Sequence, residues 1–223
     1  MIRLHAVVEG QTEETFIREI LAPELSVKGV FMDAHRITTG RKRAHKFRGG
    51  FVQYDHLKRD LLLWMNQDRH ADAWFTTMVD LYRLPKEFPG YHDCQRHKGP
   101  IERADCLERS LGADIAARRF IPYIQVHEFE ALLFSDAQKF SMAFPDEPDS
   151  VKNLAAIRNE FESPEHINDR PEWAPSERIL RALPQYVKTV AGLLIVQQIG
   201  LANLRKACLH FDGWMRRLEQ LAR

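Results

Sequence analysis

The feature that most constrains the fold is a set of short apolar stretches, each followed by an acidic residue and separated by helix-length segments. Ile2–Val8 is rich in β-branched residues and stops at Glu9, and residues 73–79 stop at Asp80. Such stretches are typical of parallel strands buried on both faces. The intervening segments are too long for hairpins, so right-handed crossovers and an α/β fold with a mostly parallel central sheet flanked by helices are expected.

The same patterns predict the remaining elements. Further strands are expected at 30–38 and at 120–126, and Pro122 places the latter near the sheet edge because proline cannot donate to a strand ladder. Helical spacing predicts a helix at 12–25 with Thr12 as its N-cap. Further helices are predicted at 54–65, 101–111, 176–183, 187–199, 201–209 and 211–221.

The chain divides into an α/β core at 1–140 and a helical C-terminal region at 141–223, which we expect to pack together as one structural unit. The polar, proline-bearing stretch at 163–175 is the one linker candidate. It fits equally an ordered loop over the functional site.

Composition excludes several classes of protein. The 32 basic and 31 acidic residues give a net charge of +1, so no overall field marks a nucleic-acid binder and any such evidence must be local. No apolar run reaches the length of a membrane span. Three cysteines and no signal-like apolar start predict a cytoplasmic protein in a reducing compartment, without a disulfide framework.

Four acids are predicted to meet at one rim of the sheet. Glu9, Asp80 and Glu128 each follow a predicted strand, and Glu13 lies in the first turn of the helix after Glu9. Ligands of parallel sheets bind beyond the carboxyl ends of the strands, and carboxylates from separate strands suit Mg²⁺ or Mn²⁺. The alternative is that acids simply favour solvated strand ends and helix starts.

A basic segment is the strongest local charge asymmetry. Residues 34–54 contain no acid. Flexible cations between glycines can follow a phosphate backbone, although a solvated loop without a partner is the alternative. The candidate nucleic-acid-binding residues are Arg41, Lys42, Arg43, Lys46 and Arg48.

Histidines and cysteines offer weaker candidates. His127 precedes Glu128 and is a candidate proton shuttle, or a histidine satisfied by local hydrogen bonds. Residues 92–97 contain two histidines and Cys94, and Cys106 follows, but the spacing matches no standard zinc finger. We favour a loop beside the active site in which His92 or His97 meets a phosphate.

Several segments together resemble a known group of proteins. Residues 7–16 (Val-Val-Glu-Gly-Gln-Thr-Glu-Glu-Thr-Phe) resemble the opening strand, turn and helix of Toprim-like nucleases, and residues 78–85 resemble their later aspartate-bearing strand. With residues 124–134, 174–179 and 199–201, the chain is similar to a bacterial Toprim-like family of unknown function. Where many Toprim proteins have Asp-x-Asp, this chain has Asp80-Leu81-Tyr82, which leaves Glu128, or less favourably Glu130 or Asp136, to complete the metal site.

The resemblance implies a Toprim-like fold and a magnesium-dependent phosphodiesterase, a nuclease acting in phage defence. It also implies an ATPase partner, which must be a separate protein because the sequence has no Walker-type phosphate loop. Catalytic roles are expected for Glu9, Glu13, Asp80, His127 and Glu128. The alternatives are a non-catalytic regulatory module that binds nucleic acid or an ATPase, and an enzyme acting on a small phosphorylated molecule. A homo-oligomer is compatible with each of these three functions.

Overall fold

The computed structural model describes residues 1–38, 53–82, 84–167 and 171–222. The basic segment with Arg41, Lys42, Arg43, Lys46 and Arg48 therefore lies outside the described residues. Within them, five strands pair in parallel in the order β2-β1-β3-β4, and β5 also pairs with β3. The strands are β1 (Ile2–Val8), β2 (Val30–Arg36), β3 (Ala73–Asp80), β4 (Phe120–Ile121) and β5 (Ile124–Gln125).

Helices fill the connections and the C-terminal region, which confirms the predicted α/β class with a mostly parallel sheet and a helical end. The α-helices are α1 (Gln11–Phe16), α2 (Ala22–Ser26), α3 (Tyr54–Gln67), α4 (Tyr91–Cys94), α5 (Pro100–Ile115), α6 (Glu130–Leu133), α7 (Pro148–Asn159), α8 (Pro175–Ala182), α9 (Leu193–Ile199), α10 (Leu201–Ala207) and α11 (Leu209–Glu219). A π-helical turn, Ile17–Leu21, joins α1 to α2, and another, Lys188–Gly192, leads into α9. The 3₁₀ segments are Phe134–Met142, Pro164–His166, Pro171–Trp173 and Gln220–Ala222.

Pro122 divides the last predicted strand into β4 and β5. Proline has no N–H for the ladder, and the Thr77 side chain fills the gap. Its hydroxyl donates to the Tyr123 carbonyl at 2.9 Å and accepts from the Tyr123 N–H at 3.0 Å. β4 ends the strand order at one edge of the sheet, as the proline predicted.

Two apolar clusters cover the two faces of the sheet. The larger cluster runs from Leu4 in β1 through Phe16 in α1 to Leu218 in α11, and so contains residues from both the α/β part and the C-terminal helices. The smaller cluster packs α3 and α5 on the opposite face, around Leu61, Phe75 and Leu107. The sheet is therefore the middle layer of three.

Two local predictions were wrong. Gly10, and not Thr12, is the N-cap of α1, and Thr12 is buried within the first turn. Cys94 and Cys106 are joined by a disulfide, contrary to the expectation of reduced cysteines, because α4 packs against α5 and brings their Cα atoms to 5.7 Å. Both sulfurs are thereby removed from any zinc site with His92 or His97.

None of the helices in the described ranges is both long and apolar enough to cross a membrane.

Candidate metal centre at the strand ends

The carboxyl edge of the sheet brings Glu9 and Asp80 together. β1 and β3 are parallel neighbours, so their last residues reach the same edge, and the Asp80 N–H donates to Glu9 Oε2 at 3.3 Å. Gly10 keeps the turn after β1 narrow. A Cβ at this position would lie 3.1 Å from Glu13 Oε2, so glycine lets the Glu13 carboxylate approach the backbone.

The ammonium of Lys188 lies among the acids of this edge. Its Nζ is 3.0 Å from Glu13 Oε1, 3.2 Å from Glu130 Oε2 and 3.6 Å from Asp80 Oδ2. It also lies 5.4 Å from the centroid of the Phe129 ring. We call Glu9, Glu13, Asp80, Glu130 and Lys188 the strand-end pocket, in which four acids face one cation.

Three acids of the pocket are buried and share one cation. Glu13 and Glu130 are each 3% exposed and Asp80 is 8% exposed. Among the described residues, Glu13 Oε1 and Glu130 Oε2 have the Lys188 ammonium as their polar neighbour, and the hydroxyl of Tyr186, outside the five residues, has no hydrogen-bond partner. Buried acids that outnumber the cations beside them are typical of functional sites.

Burial and mutual repulsion change the protonation of these acids. Burial, with the nearby charge of Glu13, raises the pKa of Glu9 to about 7. Burial also raises the pKa of Glu130 to about 7 despite the opposing effect of Lys188, and it raises the pKa of Asp80 well above its usual range. Burial alone would lower the pKa of Lys188, but the charges of Asp80, Glu130 and Glu13 raise it well above its usual range. The acids are therefore short of positive charge.

Glu130, and not Glu128, points to Lys188. The main chain of the 127–130 segment is held by Asp80, whose Oδ1 accepts from the Phe129 N–H at 3.1 Å. Glu130 is the first residue of α6, and its carboxylate is part of the strand-end pocket. Glu128 Oε1 instead accepts from the Ser176 N–H in the first turn of α8, where it acts as a helix cap. Glu128 is still near enough for its charge to affect the pKa of Glu130, although burial and Lys188 have larger effects.

His127 and Asp136 each lie within hydrogen-bonding distance of a main-chain group. His127 has φ 61, in the left-handed region, which turns the chain between β5 and α6. Its Nε2 lies 3.0 Å from the carbonyl oxygen of Glu165, which is far along the chain, and its role as a proton shuttle stays a prediction. Asp136 Oδ1 accepts from the Gln138 N–H at 3.1 Å within a 3₁₀ segment.

The polar stretch at 163–175 supports the C-terminal helices. Glu165 is buried, and its two carboxylate oxygens accept from the N–H groups of His210 and Phe211 at 3.0 Å each, which caps the start of α11. Residues 168–170 lie outside the described part of the chain.

Sequence reasoning did not identify Lys188. It lies in the π-helical turn before α9, far along the chain from the acids, and no spacing relates it to them. The only signal was a single cation just before an apolar helix, which is common in amphipathic helices.

The comparison with known protein families gives one match. The sequence profile of the family described as "Domain of unknown function (DUF4276)" matches residues 8–219. No curated protein matches the chain. Among solved structures, the C-terminal region of the Xanthomonas campestris pv. campestris OLD protein is 13% identical, with a TM-score of 0.42 over 97% of this chain and 98% of that one. A likeness at this level carries no argument for function.

Proposed function

The chain belongs to the DUF4276 family of domains of unknown function, and we propose that it is a metal-dependent phosphodiesterase, a nuclease, whose ion is held by Glu9, Glu13, Asp80 and Glu130. The observation that carries the proposal is the pair of buried carboxylate oxygens, Glu13 Oε1 and Glu130 Oε2. Each lies beside the Lys188 ammonium, at 3.0 and 3.2 Å, so that one cation serves two buried carboxylates and Asp80 as well.

The donor set fits magnesium or manganese. All four side chains offer carboxylate oxygens, which hard divalent cations prefer, and four acids against one ammonium leave negative charge for an ion to neutralise. Among the described residues, these carboxylates do not bring three oxygens within 4.8 Å of one another. An open set of this kind suits Mg²⁺, which keeps several waters, better than an ion that needs a closed cage.

When bound, the ion would activate a water molecule and neutralise charge that develops on the phosphoryl oxygens. The chain's own residues would orient the reactants. Without metal, burial raises the pKa of Glu9 to about 7, so binding of a cation at neutral pH should release a proton from this carboxyl. With a divalent ion held by the acids, the Lys188 ammonium would be available to pair with a phosphate oxygen. His127 would act as a positioning residue through its left-handed turn, and Glu128 by capping α8.

Nucleic acid is the proposed substrate. The basic segment with Arg41, Lys42, Arg43, Lys46 and Arg48 would hold the phosphate backbone without reading sequence, because such contacts carry charge but no base information. A separate ATPase partner and a role in phage defence rest on the resemblance of the sequence motifs alone. A non-catalytic module is the second candidate, and it is favoured by the position of Lys188 where a cation would be expected.

The test compares neighbouring glutamates on α1. Glu13 faces Lys188, whereas Glu14 pairs with Arg18 and Arg36. The purified chain, with any ATPase encoded beside it, is assayed on labelled single- and double-stranded DNA and RNA with Mg²⁺ and Mn²⁺. Wild type should cleave only with metal, and Glu13→Gln and Glu9→Gln should reduce cleavage by about 100-fold or more.

Glu14→Gln is the matched control and should stay within about twofold of wild type, because only surface ion pairs change. If wild type cleaves none of the substrates, the nuclease proposal fails and the non-catalytic module takes its place. Cleavage that survives Glu13→Gln and Glu9→Gln unchanged would place the activity elsewhere.

A further inference from the structure

A second group of potential metal ligands lies on strands β1 and β2, next to the Trp64 ring of α3. His5 and Asp33 are register partners in this parallel pair, and His35 stands opposite Val7, two residues along each strand. Side chains two residues apart project from the same face of a sheet. The strand pairing alone therefore places two imidazoles and one carboxylate side by side.

The two imidazoles converge on the same carboxylate. His5 Nδ1 lies 2.9 Å from Asp33 Oδ1, and His35 Nε2 lies 3.2 Å from Asp33 Oδ2. The two ring nitrogens are 3.4 Å apart. One ligand atom from each residue can be chosen so that all three lie within 4.8 Å of one another. Two nitrogens and one oxygen in this arrangement form a donor set that transition metals use.

Groups beside the two rings fix their orientation. The other nitrogen of His5, Nε2, lies 3.0 Å from Asp68 Oδ2, and Arg3 donates to Asp68 Oδ1 at 3.0 Å. A histidine that binds a metal usually gives its other ring N–H to a carboxylate, which orients the ring and raises its basicity. The Trp64 ring stacks on His35 with a centroid distance of 3.4 Å.

The group is also accessible. The side chains of His5 and His35 are 12% and 19% exposed, whereas Asp33 is 54% exposed, so an ion can enter from the Asp33 side and keep water ligands. Another group, Asp105, Glu108 and His210, is equally compact. In that group, however, Glu108 Oε1 already accepts the Ile124 N–H at 2.8 Å, which makes it part of the support of β5.

We propose that His5, Asp33 and His35 bind one divalent transition-metal ion of the zinc class, with Asp68 as the outer partner that orients His5. This site shares no residue with the strand-end pocket. The two also differ in chemistry, because imidazole nitrogens suit Zn²⁺ or Co²⁺ and the pocket's carboxylates suit Mg²⁺. The proposal does not depend on nuclease activity.

The test uses the full chain after treatment with a chelator. Zn²⁺ is titrated by calorimetry at neutral pH in the presence of excess Mg²⁺, and one equivalent is expected to bind. His35→Gln and Asp33→Asn should each weaken binding by more than about tenfold, and Asp68→Asn by about tenfold to 100-fold, as for outer partners in known sites. His210→Gln, in the other group of potential ligands, is the matched control and should leave the affinity unchanged.

Wild type also provides a test that does not depend on variants folding. Co²⁺ should produce hyperfine-shifted NMR signals from two imidazole rings, and Zn²⁺ should raise the melting temperature of wild type but not of folded His35→Gln. The proposal is overturned if no equivalent binds, if binding survives both His35→Gln and Asp33→Asn, or if His210→Gln removes it.

Discussion

The strand-end pocket and the ion pairs of the C-terminal helices differ in the ratio of acids to cations. In the pocket four acids share one ammonium, and burial raises the pKa of Glu9 and of Glu130 to about 7. In the C-terminal network, which we define as Lys28, Arg205, Asp212, Arg216 and Glu219, three cations face two acids. Burial alone would raise the pKa of Glu219, but the hydrogen bonds and charges of Arg205 and Lys28 together lower it.

The difference separates two uses of buried charge. A network in which every acid has a cation can stabilise the fold, since each charge is compensated. A pocket whose acids outnumber its cations destabilises the protein that contains it, and such uncompensated groups are typical of functional sites. The strand-end pocket is therefore the better candidate for chemistry, and the C-terminal network is structural.

The largest effect is expected from two glutamates on either side of Phe129. Glu130→Gln should lower metal-dependent cleavage by about 100-fold or more, because it removes a carboxylate that faces Lys188. Glu128→Gln should stay within a few-fold of wild type, since an amide oxygen can still accept the Ser176 N–H. The ratio of cleavage rates of the two variants, measured on one substrate, sharpens the comparison. A reversed ratio would return the ligand role to Glu128.

The second prediction concerns stability against pH. A carboxyl group whose pKa is raised in the folded state adds stability below its unfolded pKa, and that stability is lost as the pH rises through the folded value. For Glu9 and Glu130 the loss should fall between about pH 4.5 and pH 7, and each shift corresponds to about 3 kcal/mol in the free energy of unfolding.

Urea unfolding at pH 5, 6, 7 and 8 measures this loss, and excess Mg²⁺ at pH 8 should restore part of it, since a ligand of the folded state stabilises it. Glu130→Gln should flatten the profile. A protein that becomes more stable between pH 5 and pH 8 would mean that the pocket acids are compensated after all.

The smallest effect is expected in the C-terminal network. Arg205→Met should lower the free energy of unfolding at pH 7 by about 1–3 kcal/mol, because Asp212 and Glu219 lose a shared partner but keep Arg216 and Lys28. The pKa of Glu219 is lowered in the folded state, so this loss should shrink as the pH falls through that value. Cleavage by the variant should match wild type, and a loss of cleavage without unfolding would connect the network to the site.

Three features of the site could be predicted locally. Apolar stretches ending at Glu9 and Asp80 specified where β1 and β3 stop, and the helix that follows Gly10 placed Glu13 beside them. Strand and helix periods are properties of neighbouring residues, and parallel strands bring their carboxyl ends to one edge. The choice between Glu128 and Glu130 was beyond this reasoning, because it depends on the left-handed turn at His127 and on the Phe129 N–H that Asp80 accepts.

The sequence by itself determined the α/β class, the parallel order of strand and crossover, and the strand ends from which the acids project. Only the tertiary structure decided that Lys188 enters among them, that Glu128 caps α8, that Cys94 meets Cys106, and that His5, Asp33 and His35 meet across β1 and β2. Periodicity and turn chemistry act over a few residues along the chain. Contacts between residues far apart in sequence instead depend on how whole faces of helices and sheets pack together. Local spacing does not specify that packing.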